Sequence, residues 1–268
     1  MAIQGGHIQV IQALLDAGAN PNLPDETDEG DRGNSPMMEA ASTFFTTNRS
    51  DMVRLLIERG ADVNQQNAQG KTALMFALVS SDADVIQALI EGGADLNIRD
   101  CEGNTALMQA EYGRKTKAVK ILRQAGASQE GIKEVELIQA AGSGDIDRVK
   151  ALLQENVNVN IRVGETTALC QAARQGHHEI AKLLIAAGAD VNKRQFEGHF
   201  NPLLYAAYAG NLEVVRVLLA AGADVHVRIT DYLNPLEYAE LGKQERHKKG
   251  KPFDEIIALL EQAGATRS

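Results

Sequence analysis

Tryptophan is absent from the 268 residues, aromatic residues amount to 4%, and the only cysteines, Cys101 and Cys170, share no CxxC or Cys/His cluster. So few aromatics argue against a large aromatic-lined cofactor pocket. Two isolated cysteines support neither a disulfide framework nor a zinc knuckle, and a reducing, cytoplasmic setting is the default expectation. No run of about eighteen apolar residues is present to span a bilayer. The opening MAIQGGHIQ has no charged segment followed by an apolar one, as a secretory leader would. Positive charge is in deficit as well, 27 basic against 36 acidic residues for a formal charge of -9. That balance disfavours a general attraction to nucleic acid or to an anionic membrane. Catalytic signatures are missing too: there is no Ser-His-Asp ordering, HExxH, Walker-type loop or GxGxxG. No catalytic residue, cofactor or metal ligand is therefore assigned.

What the chain does have is repetition. GANPN at 18–22, GADVN at 60–64, GADLN at 93–97, GADVN at 188–192 and GADVH at 222–226 mark one register, with degenerate copies at 126–128, 156–160 and 264–266. Gly60, Gly93 and Gly126 fall 33 residues apart, and eight copies fit the chain. Each Gly follows an apolar helical run such as VRLLIER and is placed to take a left-handed helix cap. Upstream, Ser35-Pro36, Asn201-Pro202 and Asn234-Pro235 put an N-cap before a Pro at the first helical position, and Thr72, Thr105 and Thr167 serve as the versions without Pro. Two short helices lie between start and stop, the first rich in alanine pairs and the second in aliphatic pairs. A helix pair of this size cannot hide its own apolar face, so it must stack on copies of itself.

These residues resemble ankyrin repeats. TALMFA at 72–77, TALCQAARQGHHEIAKLLIAAGADVN at 167–192 and NPLLYAAYAGNLEVVRVLLAAGADVH at 201–226 carry the likeness, which covers nearly the whole chain. The resemblance implies an all-α repeat fold, a solenoid of stacked helix-turn-helix units joined by short β-turn or hairpin connections. One departure is the His usual within the family's first helix, where Met75, Met108, Cys170 and Leu204 stand instead. That change is expected to loosen the turn's hydrogen bonding without threatening the fold.

The pattern breaks in five places. Repeat 1 begins inside its first helix, so the polar outer face of a capping repeat is missing, and Val10, Ile11, Leu14 and Leu15 are expected to be under-covered. A fragment of a longer chain or a covering subunit would both account for such a sticky edge. LPDETDEGDRG at 23–33 reads either as a solvated loop or as a docking finger for a basic partner, with poor spacing for calcium. The insertion at 42–48 projects Phe44 and Phe45 as a local plug or an exposed contact. A shortened connection at 129–137 divides the chain into subdomains 1–128, with repeats 1–4, and 129–268, with repeats 5–8, stacked continuously or meeting at a bend. The last repeat carries a basic insertion at 242–255, read as a solvated capping loop in preference to a nucleic-acid site.

Ankyrin repeats bind other proteins through turn tips and the exposed side of the first helices, and the family shares no catalytic residue. The resemblance therefore implies a protein-binding scaffold whose concave face, weighted toward repeats 6–8, takes an acidic or amphipathic segment, with no nucleic acid or membrane involved. The candidate contacts in the turns are Arg99, Arg162, Arg194 and Arg228 together with Phe196, His199, Phe200 and Tyr232; on the first helices they are Tyr112, Arg174 and Tyr208. Arg and aromatic side chains give large binding free energies for the rotamer freedom they surrender. The alternatives are aromatics folded back onto neighbouring turns, arginines paired with nearby carboxylates, or a module that self-assembles through its uncapped start.

Overall fold

A computed structural model of the chain describes residues 2–24, 33–42, 48–80, 82–164, 166–194, 200–228, 233–245 and 250–267. Most of the acidic stretch, together with Phe44, Phe45, Phe196, His199, Tyr232 and residues 246–249 of the basic insertion, lies outside the described residues. Among the described residues the regular elements are helices, joined by turns and one isolated antiparallel bridge between Val163 and Thr166. The chain divides into two compact units, Met1–Ile132 and Lys133–Ser268.

In the first unit α1 (Ile8–Asp16) precedes three pairs: α2 (Pro36–Ser42) with α3 (Arg49–Glu58), α4 (Ala73–Ser80) with α5 (Ala83–Glu91), and α6 (Ala106–Tyr112) with α7 (Thr116–Gln124). In the second, α8 (Ile132–Ser143), which starts at the boundary itself, and α9 (Ile146–Gln154) are followed by three further pairs. These are α10 (Ala168–Gln175) with α11 (His178–Ala186), α12 (Pro202–Ala209) with α13 (Leu212–Ala220), and α14 (Pro235–Gln244) with α15 (Phe253–Gln262). First helices stack on first helices, α2 on α4 on α6 and α10 on α12 on α14. Second helices stack on second helices, α1 through α3 and α5 to α7, and α9 through α11 and α13 to α15.

Helix starts and stops follow from the punctuation. Thr105 and Thr167 accept from the amides of Met108 and Cys170 at 3.3 and 3.2 Å, and Asn201 accepts from Leu204 at 2.9 Å. Asn234 and Glu237 close a capping box on α14, satisfying donors that the first turn leaves open. At the other end Gly60, with φ +81°, lets the Ala61 amide return to the Leu56 carbonyl at 2.9 Å.

Each letter of GADVN then has its own task. Gly is the left-handed cap, and Ala is buried, as at Ala61 and Ala189. The Asp carboxylate accepts from the amide two residues on: Asp62 from Asn64 at 2.8 Å, and Asp95 from Asn97 and Asp190 from Asn192 at 2.9 Å. Val63, Leu96 and Val225 point into the core. The Asn reaches the next repeat. Asn64 accepts from the Asp95 amide at 2.7 Å and donates to the Gly93 carbonyl at 3.1 Å. Asn22 does the same at Asp62 and Gly60, Asn160 at Asp190 and Gly188, and Asn192 at Asp224 and Gly222. Asn97 accepts from Ser128 at 2.9 Å. Glu130 and His226 fill the corresponding slots one period later, and Glu130 pairs with Arg99 at 3.1 Å.

Packing depends on residue size. Ala40, Ala41, Ala172, Ala173, Ala206 and Ala207 are buried where first helices meet, and their small side chains permit close approach. The second helices supply Leu56, Ile86, Leu89, Leu122, Leu152, Leu184 and Leu218, all buried, each stabilising by about 1.5–3 kcal/mol relative to exposure. Met75, Met108, Cys170 and Leu204, in the slot expected to hold His, are buried apolar contacts. Turn closure passes to other side chains. Asn67 accepts from the amides of Gln69 and Lys71 at 3.0 and 2.9 Å, and Asp100 from those of Glu102 and Asn104, both at 2.9 Å. Burial pushes the Cys170 thiol up to about 11, so it stays protonated and inert at neutral pH. Cys101 is exposed.

Candidate functional site

On the first helices the fourth and seventh residues share one face, because positions three apart are neighbours on a helix. In the second unit this gives two rows across α10, α12 and α14: Gln171, Tyr205, Tyr238 and Arg174, Tyr208, Leu241. The first row and Tyr208 are half-buried, Arg174 is exposed, and Leu241 is 40% exposed. Phe200, just ahead of α12, completes the group. Its ring stacks on Tyr205 with centroids 4.8 Å apart and meets Tyr238 edge-on at 5.3 Å, while Tyr238 meets Tyr208 edge-on at 6.0 Å. Four of the chain's eleven Phe and Tyr residues thus form one continuous cluster on two neighbouring helices.

Electrostatics around the cluster are uneven. Tyr208 donates its hydroxyl to the Glu245 carboxylate beyond the end of α14, and that bond raises its phenol above the ordinary range. Burial raises Tyr238 too, and among the described residues its hydroxyl has no hydrogen-bond partner. Both phenols are therefore protonated donors at neutral pH, one engaged and one available. Arg174, at the end of α10, and Arg194 and Arg228, in the turns leading toward α12 and α14, are exposed and make no ion pair among the described residues.

The structure thus joins Phe200 and Tyr208 through Tyr238, with Arg174 on the neighbouring first helix in the same row as Tyr208 and Arg194 and Arg228 exposed in the turns. It gives the other candidates different roles. Arg162 is half-buried and donates to the Arg194 carbonyl at 2.9 Å, joining one turn to the next. Arg99 donates to the Gly103 carbonyl at 2.6 Å besides its pair with Glu130. Tyr112 and Arg99 belong to the first unit, where Tyr112 is the seventh residue of α6. Tyr205 and Tyr238 escaped the sequence reading, although they stand 33 residues apart in matching NPLLY and NPLEY strings. That match, set against the 33-residue period, was the signal available.

A second feature lies at the N-terminal edge of the first unit. Val10, Leu14 and Leu23 are 49, 50 and 64% exposed, and Leu14 and Leu23 border a groove of about 340 Å³ shared with Ile3, Ile11, Leu15 and Pro36. Among the described residues no group of His, Cys, Asp and Glu is arranged to hold a metal ion, and no helix is long and apolar enough to cross a membrane.

Comparison with known proteins agrees with this architecture. The family described as "Ankyrin repeats (3 copies)" matches residues 1–67, 47–131 and 137–229. The ankyrin repeat and KH domain-containing protein mask-1 of Caenorhabditis elegans is 32% identical over 193 residues, 72% of this chain and 7% of that protein. An ankyrin repeat protein of Acanthamoeba polyphaga mimivirus is 42% identical over 66 residues, 25% of this chain and 38% of its own length. An E3 ubiquitin-protein ligase of Arabidopsis thaliana is 38% identical over 68 residues, 23% of this chain and 13% of the ligase. The likeness spans well under half of each relative and rests on the repeats, which are generally protein-protein interaction modules. By its repeat length, its caps, its stacked helix pairs and the family match over most of its residues, the chain belongs to the ankyrin repeat family.

Proposed function

We propose that this chain is a non-catalytic scaffold that takes an acidic or amphipathic segment of another protein onto the first-helix face of repeats 6–8. In this reading repeats 1–4 (1–128) and 5–8 (129–268) form its two halves, and it works in the cytoplasm. The observation that carries it is the cluster of Phe200, Tyr205, Tyr208 and Tyr238, half-buried where a packed core would bury such rings fully, in repeats that also expose Arg174, Arg194 and Arg228 without an ion pair among the described residues. Aromatic and Arg anchors dominate binding free energy, and truncating a central one costs about 2 kcal/mol or more, roughly thirtyfold in affinity. Affinity capture from the native host, followed by mass spectrometry, tests this. The Phe200→Ala/Tyr238→Ala chain is expected to lose partners that the wild-type chain retains, with its helical circular dichroism unchanged. An identical set captured by both chains removes this surface from consideration.

A second reading, self-association through the N-terminal edge, is favoured by the exposure of Leu14 and Leu23 beside one groove and of Val10 on the same helix as Leu14. Light scattering on the full chain is expected to show a concentration-dependent rise in mass that Leu14→Glu abolishes. A constant monomer mass in the wild type ends that reading.

A further inference from the structure

We propose that the occupant of the α12/α14 surface is a short extended segment in polyproline II conformation, with prolines spaced three residues apart and acidic side chains at its ends. The inference rests on the protein-binding reading above and adds the chemistry of the ligand.

Three observations support an extended ligand over a helical one. First, the rings lie against one another, at centroid spacings of 4.8, 5.3 and 6.0 Å, so they leave no slot between them. An amphipathic helix needs a groove into which its apolar knobs descend, whereas pyrrolidine rings lie flat on an aromatic ridge. Second, Phe200 is shared between two ring contacts, with Tyr205 at 4.8 Å and with Tyr238 at 5.3 Å. One turn of polyproline II, three residues at a rise of ~3.1 Å, is longer than either step, so successive prolines one turn apart meet different rings of the cluster. Third, the Tyr238 hydroxyl is a protonated donor with no partner among the described residues. A helix has its carbonyls occupied by its own amides, while polyproline II has every carbonyl free to accept.

Charge supplies the remaining selectivity. Arg174 lies on α10, one row across from Tyr208, and Arg194 and Arg228 lie in the turns of the neighbouring repeats, all exposed and without an ion pair among the described residues. Acidic residues at the ends of the segment meet these arginines, and a bidentate guanidinium–carboxylate pair also fixes orientation.

The experiment is selection of a displayed library of random 12-residue peptides on the full wild-type chain, with counter-selection on the Phe200→Ala/Tyr238→Ala chain whose helical content has been verified. The expected result is enrichment of Pro at i and i+3 with flanking Asp or Glu. A synthetic peptide of the winning sequence should bind the Tyr238→Phe chain roughly five- to tenfold more weakly than wild type, the loss of one hydrogen bond. Enriched peptides with apolar residues at i, i+4 and i+7, without Pro, and with unchanged affinity for Tyr238→Phe overturn the inference but leave the binding surface standing. Failure of counter-selection to remove any enriched peptide overturns both.

Discussion

Truncating Leu218 to alanine lowers the stability of the C-terminal unit by about 2–5 kcal/mol, the largest effect expected of any single change considered for this chain. Leu218 lies in α13, which packs against α11, α12 and α15, and none of its side chain reaches solvent. Removal of its methyl groups forfeits their transfer free energy and leaves a cavity that three packed neighbours cannot collapse to fill. The control is Leu14→Ala in α1. The same atoms are deleted there from a side chain that is half exposed, so the cost falls to a small fraction of the core value. Urea denaturation followed by circular dichroism compares the midpoints of the two variants. Equal shifts would mean that α13 is not packed as described.

Gly242→Ala has the next largest effect, and its sign is the reverse of what helix propensity alone implies. Within a helix such a change normally gains about 1 kcal/mol. A Cβ at Gly242, however, falls well inside contact distance of the Tyr208 carbonyl oxygen and meets the Phe253 ring at 2.8 Å. The carbonyl belongs to backbone and cannot swing aside. α12 and α14 must separate, at an overpacking cost of about 1–3 kcal/mol or more that outweighs the propensity gain. Separation also displaces Tyr208 from Tyr238, so binding at the proposed surface is expected to fall along with stability. Gly142→Ala in α8 is the counterpart: its nearest neighbour, the Gln171 side chain, stays at 3.5 Å, an ordinary contact. That variant should melt higher than wild type while Gly242→Ala melts lower. A higher melting temperature for Gly242→Ala would show that the two helices do not approach as closely as their backbones indicate.

These two glycines also mark how far the sequence alone could be read. The register of GADVN, the capping residues and the sizes of the helix-face residues each report a local requirement, a left-handed cap, an open amide or a close approach, and local requirements are visible one residue at a time. That Gly242 is a contact and Gly142 is not depends on how far apart two stacked helices sit, which no single string encodes. The proposed binding surface has the same character. In the repeat register, the position of Tyr205 and Tyr238 holds Glu39, Phe76, Gln109, Gln139 and Gln171 in the earlier repeats, so the fold accepts varied chemistry there. Its importance in the last repeats emerges only when residues one period apart are placed side by side. Arg162 shows the same limit: its turn position is visible in the string, but that its guanidinium donates to the carbonyl of Arg194 in the next turn is not.

The asparagine rungs carry an implication for how such a chain changes length. The rungs at Asn22, Asn64, Asn160 and Asn192 each grip the glycine carbonyl and the aspartate amide two residues later in the next unit, and those two groups recur one period later with the same spacing. Excising residues 62–94 joins Ala61 to Asp95 and restores the string GADLN across the splice, leaving Asn22 opposite the same two kinds of atom it held before. Copy number is thus free to drift by whole cassettes, while the asparagine rung at the new junction keeps its bonds.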